Sequence, residues 1–310
     1  MQRLFILFWF FGQSLSSVPY AEWAHYHMVW LHNSHTNQAD IQAMVNSYLE
    51  NRISVGIVNI DFRWETNVNT FMFNPTGFLS AKEELDEFRQ KEVLDPEVTW
   101  LKSRTAYYND SFQILRQLVG EEALIMSRPV DYDLDFSPHD IVFIGWVGDQ
   151  RGTYDGPRKA LRYMLESGRR HYVGFGSDIG GYDTDPNAGP LGRTKELFLR
   201  WTAVGALSSF MENSGDGEHF PWKFDKETTD IYRSWVNLRY TLVPYLYSEG
   251  TKVAIYRNGT LMQPCGDTEV LFSYAYFLPM LSKSGKNWRL IAIYRNDNRA
   301  LNRRLIADFL

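Results

Sequence analysis

Short apolar runs alternate with segments of helical periodicity along most of this chain, the pattern of β/α units built around a parallel sheet. The run 26–31, with Met28, Val29, Trp30 and Leu31, reads as a buried strand. The helix predicted after it places Ile41, Met44, Val45, Tyr48 and Leu49 on one face. The next strand, 55–61, ends on Asp61, and further strands are expected at 123–126, 141–146, 172–175 and 206–211. Helical stretches near 104–119, 157–169 and 192–205 lie between them. Six strands in this alternation make most of an eight-stranded barrel, so the fold class is α/β, TIM-barrel-like and incomplete. A long helix over 225–248 carries Ile231, Trp235, Leu238, Leu242 and Leu246 at helical spacing, with a kink expected at Pro244. Beyond Gly250 the pattern changes to short strands, 252–256 and 270–278, which predict the start of a C-terminal antiparallel β module over 251–310. The last stretch, 289–310, shows no periodicity, and the barrel is expected to fill 18–250.

The first seventeen residues change the picture of compartment rather than of fold. Arg3, the apolar run 4–11 and the small-residue stretch 12–17 have the layout of a secretory signal peptide, so a secreted protein is expected. That run is too short for a stable membrane anchor, and no later segment reaches the ~18 apolar residues of a spanning helix. The net charge of −5 and the lack of a long basic run exclude nucleic acid as the expected partner. Cys265 is the only cysteine, which excludes an intramolecular disulfide and a thiolate zinc site. His25-x-His27 could pair on a strand, but it precedes the apolar run, at the wrong end for a barrel metal site, so no metal is expected. No cofactor is expected either: Gly174-x-Gly176-x-x-x-Gly180 has Ile179 where a dinucleotide fingerprint needs its third glycine. Aromatic residues make up 15% of the 310, a surplus that suits either a large core or a pocket of flat faces for stacking on sugars.

In such a barrel the functional side chains stand at the carboxyl ends of the strands. The residues found there are Asp61 and Trp64, Arg128, Trp146 and Asp149, Asp178, and Glu212. Acids with an arginine and indoles around one mouth suit carbohydrate chemistry, carboxyls supplying nucleophile and general acid while indole faces stack on pyranose rings. Strand-end acids also cap helices, so each acid alone is weak support and the set is stronger.

Four segments then carry a specific resemblance. Trp146-Val147-Gly148-Asp149, Gly176-Ser177-Asp178-Ile179-Gly180-Gly181-Tyr182, Arg200-Trp201 with Gly205, and Arg239-Tyr240-x-Leu242-x-Pro244-Tyr245 resemble, in order, glycoside hydrolase family 31, the α-glucosidase and α-xylosidase family. The resemblance covers about residues 18 to 280. It implies a (β/α)8 catalytic barrel and a retaining mechanism with two catalytic Asp residues. Asp149 matches the general acid/base, whose pKa should be raised by carboxylate neighbours and apolar walls. Asp61, with Trp64 in the same motif, matches a family acid that binds sugar hydroxyls. Arg128, Trp146 and Tyr182 match wall and hydroxyl contacts, and Asp178 matches an organiser of the pocket. The implied ligand is an α-glycoside; the oligomeric state stays open.

The pattern departs from the family in two places. The nucleophile should lie between the second strand and Tyr107-Tyr108, but 79–104 reads as a charged helix followed by Asp95-Pro96. No nucleophile is found there, and two barrel strands and the preceding β-sandwich are expected to be missing. Asp149 alone supplies half of a retaining pair, so a poor hydrolase is expected. A non-catalytic sugar-binding protein and a truncated gene product stay open as alternatives. Secondly, Glu212-Asn213-Ser214 stands where many family α-glucosidases carry Arg-x-His, with His219 as either a replacement sugar partner or a surface-loop residue.

Overall fold

The alternation produces parallel strands over the described residues between 27 and 213. The computed structural model describes residues 20–31, 37–60, 66, 74–77, 109, 112–113, 116, 124–128, 144–256 and 261–262, and the backbone of 280–284, 287–291 and 306–309. A 3-10 turn, Glu22–His25, leads into β1 (His27–Trp30), which is buried along its whole length. Helix α1 (Gln38–Glu50) starts where the Asn37 side chain accepts a hydrogen bond from the Asp40 amide at 2.9 Å, a side-chain cap. Strand β2 (Ile57–Asn59) follows, then β3 (Met126–Ser127) and β4 (Ile144–Trp146). Helix α2 (Asp155–Arg169) buries Ala160, Leu161, Met164 and Leu165 along one stripe and leads to β5 (Gly174–Gly176). Helix α3 (Lys195–Leu207), capped by Thr194 on the Leu197 amide, is apolar almost all round because it is covered on both sides. Strand β6 (Met211–Asn213), the short α4 (Pro221–Phe224) and the long α5 (Lys226–Tyr256) complete this part.

Strands β2-β1-β6 and β3-β4-β5 form two parallel ladders. A parallel bridge between Asp178 and Glu212 joins them, and the Ile179 amide donates to the Glu212 carbonyl at 3.2 Å. The order is therefore β2-β1-β6-β5-β4-β3, with the first strand beside the last, as barrel closure requires. The buried core around these strands includes Met28, Val29, Ile144, Phe175, Phe210 and Met211.

Helix α5 passes through Pro244 without a break. Pro244 lies on the exposed side of the helix, so the carbonyl it leaves unbonded, four residues back, is on the solvent side as well. At Gly250 the helix meets Tyr20 and Val173 so closely that an added Cβ would collide with the Tyr20 hydroxyl.

Several boundaries differ from the expected ones. The strand expected at 206–211 is instead the end of α3 and a turn, with β6 at Met211–Asn213. The Ser208 hydroxyl stands 2.8 Å from the Gly205 carbonyl and 2.6 Å from that of Phe210, and its one proton, donated to either, stops the helix here. The strand expected at 252–256 is the last turn of α5, because Val253 continues the buried helical stripe of Leu246 and Gly250. The stretch without periodicity contributes to an antiparallel sheet of β7 (Met280–Ser284), β8 (Asn287–Ile291) and β9 (Ile306–Phe309). Of the helix expected at 104–119, positions 109, 112, 113 and 116 are helical. The leader at 1–17, the missing strands placed at 79–104 and the strand at 270–278 lie outside the described residues.

Candidate active site

The carboxyl ends of β1, β3, β4, β5 and β6 bring most of the expected residues to one mouth. Asp149 stands just past β4, and its Oδ2 lies 3.6 Å from Nη1 of Arg128, which follows β3. Both side chains are about two-fifths exposed, 41% and 38% respectively. Solvent screens such a pair to ~0–1 kcal/mol, so its worth is orientation rather than stability. Gly148 explains why this approach is possible, since a Cβ there would strike the Arg128 guanidinium. Arg128 also lies over the Trp146 ring, 5.5 Å from its centroid, a cation–π arrangement.

Trp146 carries the connection inward. Its Nε1–H donates to Oδ2 of Asp178 at 2.8 Å, fixing the indole across the mouth. Tyr182, on the loop after β5, has its ring 6.5 Å from that of Trp146 and stacks on Trp30 at 6.0 Å with an interplanar angle of 22°. Trp30, Tyr182 and Trp146 thus form an aromatic wall beside Asp149 and Arg128. Trp30 was legible only as a strand residue; its place at the end of β1 is what brings it to the wall.

The environment expected around Asp149 occurs around a different carboxyl. Asp178 is fully buried, and burial, reinforced by the charge of Asp149, pushes it up to about 8 from its ordinary 3.8. Glu212, its neighbour across the bridge, is buried too and is pushed well above the carboxylate range by desolvation and by Asp178. Oδ1 of Asp178 and Oε1 of Glu212 make no hydrogen bond. Burial therefore holds both carboxyls toward the protonated form, and Asp178 fixes the Trp146 indole through its Oδ2. Asp149 itself pairs with the Arg128 guanidinium and is about two-fifths exposed.

His219 is not a surface-loop residue. It is 6% exposed, and its Nδ1 lies 3.1 Å from the Ile179 carbonyl, beneath the loop that carries Tyr182. His25 and His27 are packing residues, as their position in the strand suggested. A carbonyl accepts only, so Nδ1 of each carries the proton, donating to Ser209 at 2.8 Å and Ser54 at 2.7 Å. Each Nε2 then accepts from a tyrosine hydroxyl, Tyr20 for His25 and Tyr232 for His27, and burial lowers both imidazoles to about 4. Among the described residues no group of His, Cys, Asp and Glu could hold a metal ion, and no helix is long and apolar enough to cross a membrane. Asp61 and Trp64 lie outside the described residues.

Acids, an arginine and flat aromatic faces thus meet at one barrel mouth, and the known proteins this chain is similar to include glycosidases. Residues 136–249 match the glycosyl hydrolases family 31 TIM-barrel domain. An α-xylosidase of Emericella nidulans is 32% identical over 123 residues, 39% of this chain and 15% of that protein. The α-xylosidase XylQ of Lactiplantibacillus pentosus is 38% identical over 167 residues, 52% of this chain and 20% of that protein. Among solved structures, a family 31 α-xylosidase from a soil metagenome, complexed with xylose, superposes with a TM-score of 0.58 at 13% identity, over 89% of this chain and 56% of that one. A xylosidase from Aspergillus niger gives 0.57 at 12% identity, over 87% and 56%. Over residues 136–249 the chain is similar to the family 31 barrel domain, and its fold is an α/β TIM barrel. Its matches span a fifth or less of these two curated relatives.

Proposed function

We propose that this protein binds α-linked glycosides of the xyloside or glucoside class at the barrel mouth, with Asp149 as proton donor and only weak hydrolysis. The observation that carries this reading is the joining of Asp149 and Arg128 to the Trp30–Tyr182–Trp146 wall. Flat aromatic faces take the apolar face of a pyranose, and Arg128 offers donors to its hydroxyls. A retaining reaction also needs a second carboxyl roughly 5–5.5 Å from the first, ionised and able to attack the anomeric carbon. Among the described residues the other acids of the mouth, Asp178 and Glu212, are buried and held toward the protonated form, so neither fits that part. This supports binding over turnover. The amino-terminal apolar run supports a secreted setting, which recovery of the processed chain from culture medium would test.

Hydrolysis of aryl α-xylosides and α-glucosides by the purified chain is the test of the catalytic half. The expected result is turnover several orders of magnitude below that of an intact retaining glycosidase. Substantial hydrolysis that disappears in Asp149→Asn would overturn the weak-enzyme reading while keeping Asp149 as acid.

A further inference from the structure

The loop that carries Tyr182 is held from below by a buried arginine outside every motif singled out in the sequence. Arg193 sits two residues before α3 and is 1% exposed. Its Nε donates to the Gly180 carbonyl at 3.1 Å, and Nη2 donates to Gly181 at 3.0 Å and to Asp216 at 2.6 Å. Nη1 donates to the Glu218 carbonyl at 2.6 Å. One planar guanidinium thus ties the loop after β5 to the loop after β6 through backbone carbonyls alone.

The carbonyls face it because Gly180 and Gly181 adopt φ of +91° and +88°, a region that side-chain-bearing residues avoid. Further backbone bonds tighten the same junction. The Asp216 amide donates to the Tyr182 carbonyl at 2.9 Å, and the Glu218 amide to Leu191 at 3.1 Å. The Asp183 amide donates to Gln150 at 3.0 Å, which joins the loop after β4. Tyr182 is the one residue of this junction whose ring reaches the aromatic wall. A lysine could satisfy only part of the fan, since its donors spread from a point rather than lying in a plane.

We propose that Arg193 is a positioning residue for the sugar site: it sets the Tyr182 ring against Trp30 and so shapes the aromatic wall without touching the ligand. This rests on the sugar-binding reading above. Its test is a double-mutant cycle of Arg193→Lys and Tyr182→Ala, read by calorimetric titration with methyl α-xyloside and methyl α-glucoside and by near-UV circular dichroism. Arg193→Lys should weaken sugar binding about tenfold in the otherwise native chain and less than about twofold in the Tyr182→Ala background, the coupling expected of residues that act as a unit. It should also remove the same near-UV band that Tyr182→Ala removes.

Equal loss of affinity in both backgrounds, or no loss in either, would overturn the proposal by making Arg193 a fold-stability residue only. If the native chain binds neither sugar, the binding reading fails by itself, and the near-UV comparison still decides whether Arg193 sets Tyr182. Should Arg193→Lys not fold, Gly217→Ala reaches the clamp from the other loop. An added Cβ there meets Thr184 Cγ2 at 2.7 Å, the Leu191 carbonyl at 3.1 Å and Nη1 of Arg193 at 3.3 Å, and opposes a φ of +78°, so it pushes on the whole junction. The same loss of band and of affinity is expected from it, and retention of both would contradict the proposal.

Discussion

Replacing Asp178 by asparagine should make the protein more stable at neutral pH, and the size of the gain follows from the site. Asp178 is raised from 3.8 to about 8 in the fold, because burial disfavours its charged form. In the unfolded chain it ionises near its ordinary value. Between those values the unfolded state releases a proton that the native state keeps. Stability is therefore fully present below about pH 4 and is lost progressively as pH rises toward 8, at about 1.4 kcal/mol per pH unit for each such carboxyl. By pH 7 the loss from Asp178 alone comes to about 4 kcal/mol. Glu212 adds loss of the same sign. Asp178→Asn keeps an oxygen for the Trp146 Nε1–H and removes the titration. Its amide nitrogen needs a partner at a cost of about 1–3 kcal/mol. The net gain should be about 1–3 kcal/mol at pH 7, turning into a loss near pH 4.5, where the native carboxyl no longer carries a penalty. Urea unfolding at pH 4.5, 6, 7 and 8 measures this, with the denaturant slope held as a check that only stability changes. A wild-type stability that does not fall relative to the variant between pH 5 and 8 would refute the reasoning.

Other changes test the scaffold and the mouth separately. Gly250→Ala improves helix propensity but drives a methyl into the Tyr20 hydroxyl, so a loss of about 1–3 kcal/mol is expected in thermal or urea melts, partly recovered by adding Tyr20→Phe. Arg239 is fully buried and donates to the carbonyls of His25, Ser208 and Ser209; Arg239→Ala should cost about 3–5 kcal/mol and Arg239→Lys clearly less, by the same melts. Trp146→Phe keeps a flat face but leaves Asp178 without its donor, so weaker sugar binding with a stability loss of about 1–3 kcal/mol is expected from paired calorimetry and urea unfolding.

The parallel alternation, the long helix and most of the mouth were legible because each rests on local sequence: apolar runs, helical spacing, and polar residues that follow a strand. Boundaries failed where a tertiary contact or a short turn decided them. Nothing in the composition of 206–211 separates a buried helix end from a strand until the Ser208 hydroxyl is seen bonding to Gly205 or Phe210. Gly250 looks like a stop signal, yet it is the point where α5 needs no side chain in order to pass Tyr20. Asp149, Arg128, Trp146, Asp178 and Tyr182 were singled out by motif, but their surroundings depend on neighbours far away in the chain. Burial is what makes Asp178 and Glu212 proton-holding rather than charged, and burial belongs to the folded state. Trp30 and Arg193 were missed for the same reason, the first hidden in an apolar run and the second a lone loop arginine whose carbonyl partners lie 12 to 25 residues away.

The central claim is that the Asp149–Arg128 pair and the Trp30–Tyr182–Trp146 wall form one sugar-binding mouth. Calorimetric titration of the purified chain with methyl α-xyloside and methyl α-glucoside tests it most directly, alongside Trp146→Ala and Trp222→Ala, whose ring packs on Tyr48 and Phe220 and not on the three rings of the wall. The account predicts saturable binding of at least one sugar, abolished by Trp146→Ala and retained by Trp222→Ala wherever that variant stays folded. No binding by the native chain, or binding that survives Trp146→Ala unchanged, would contradict it.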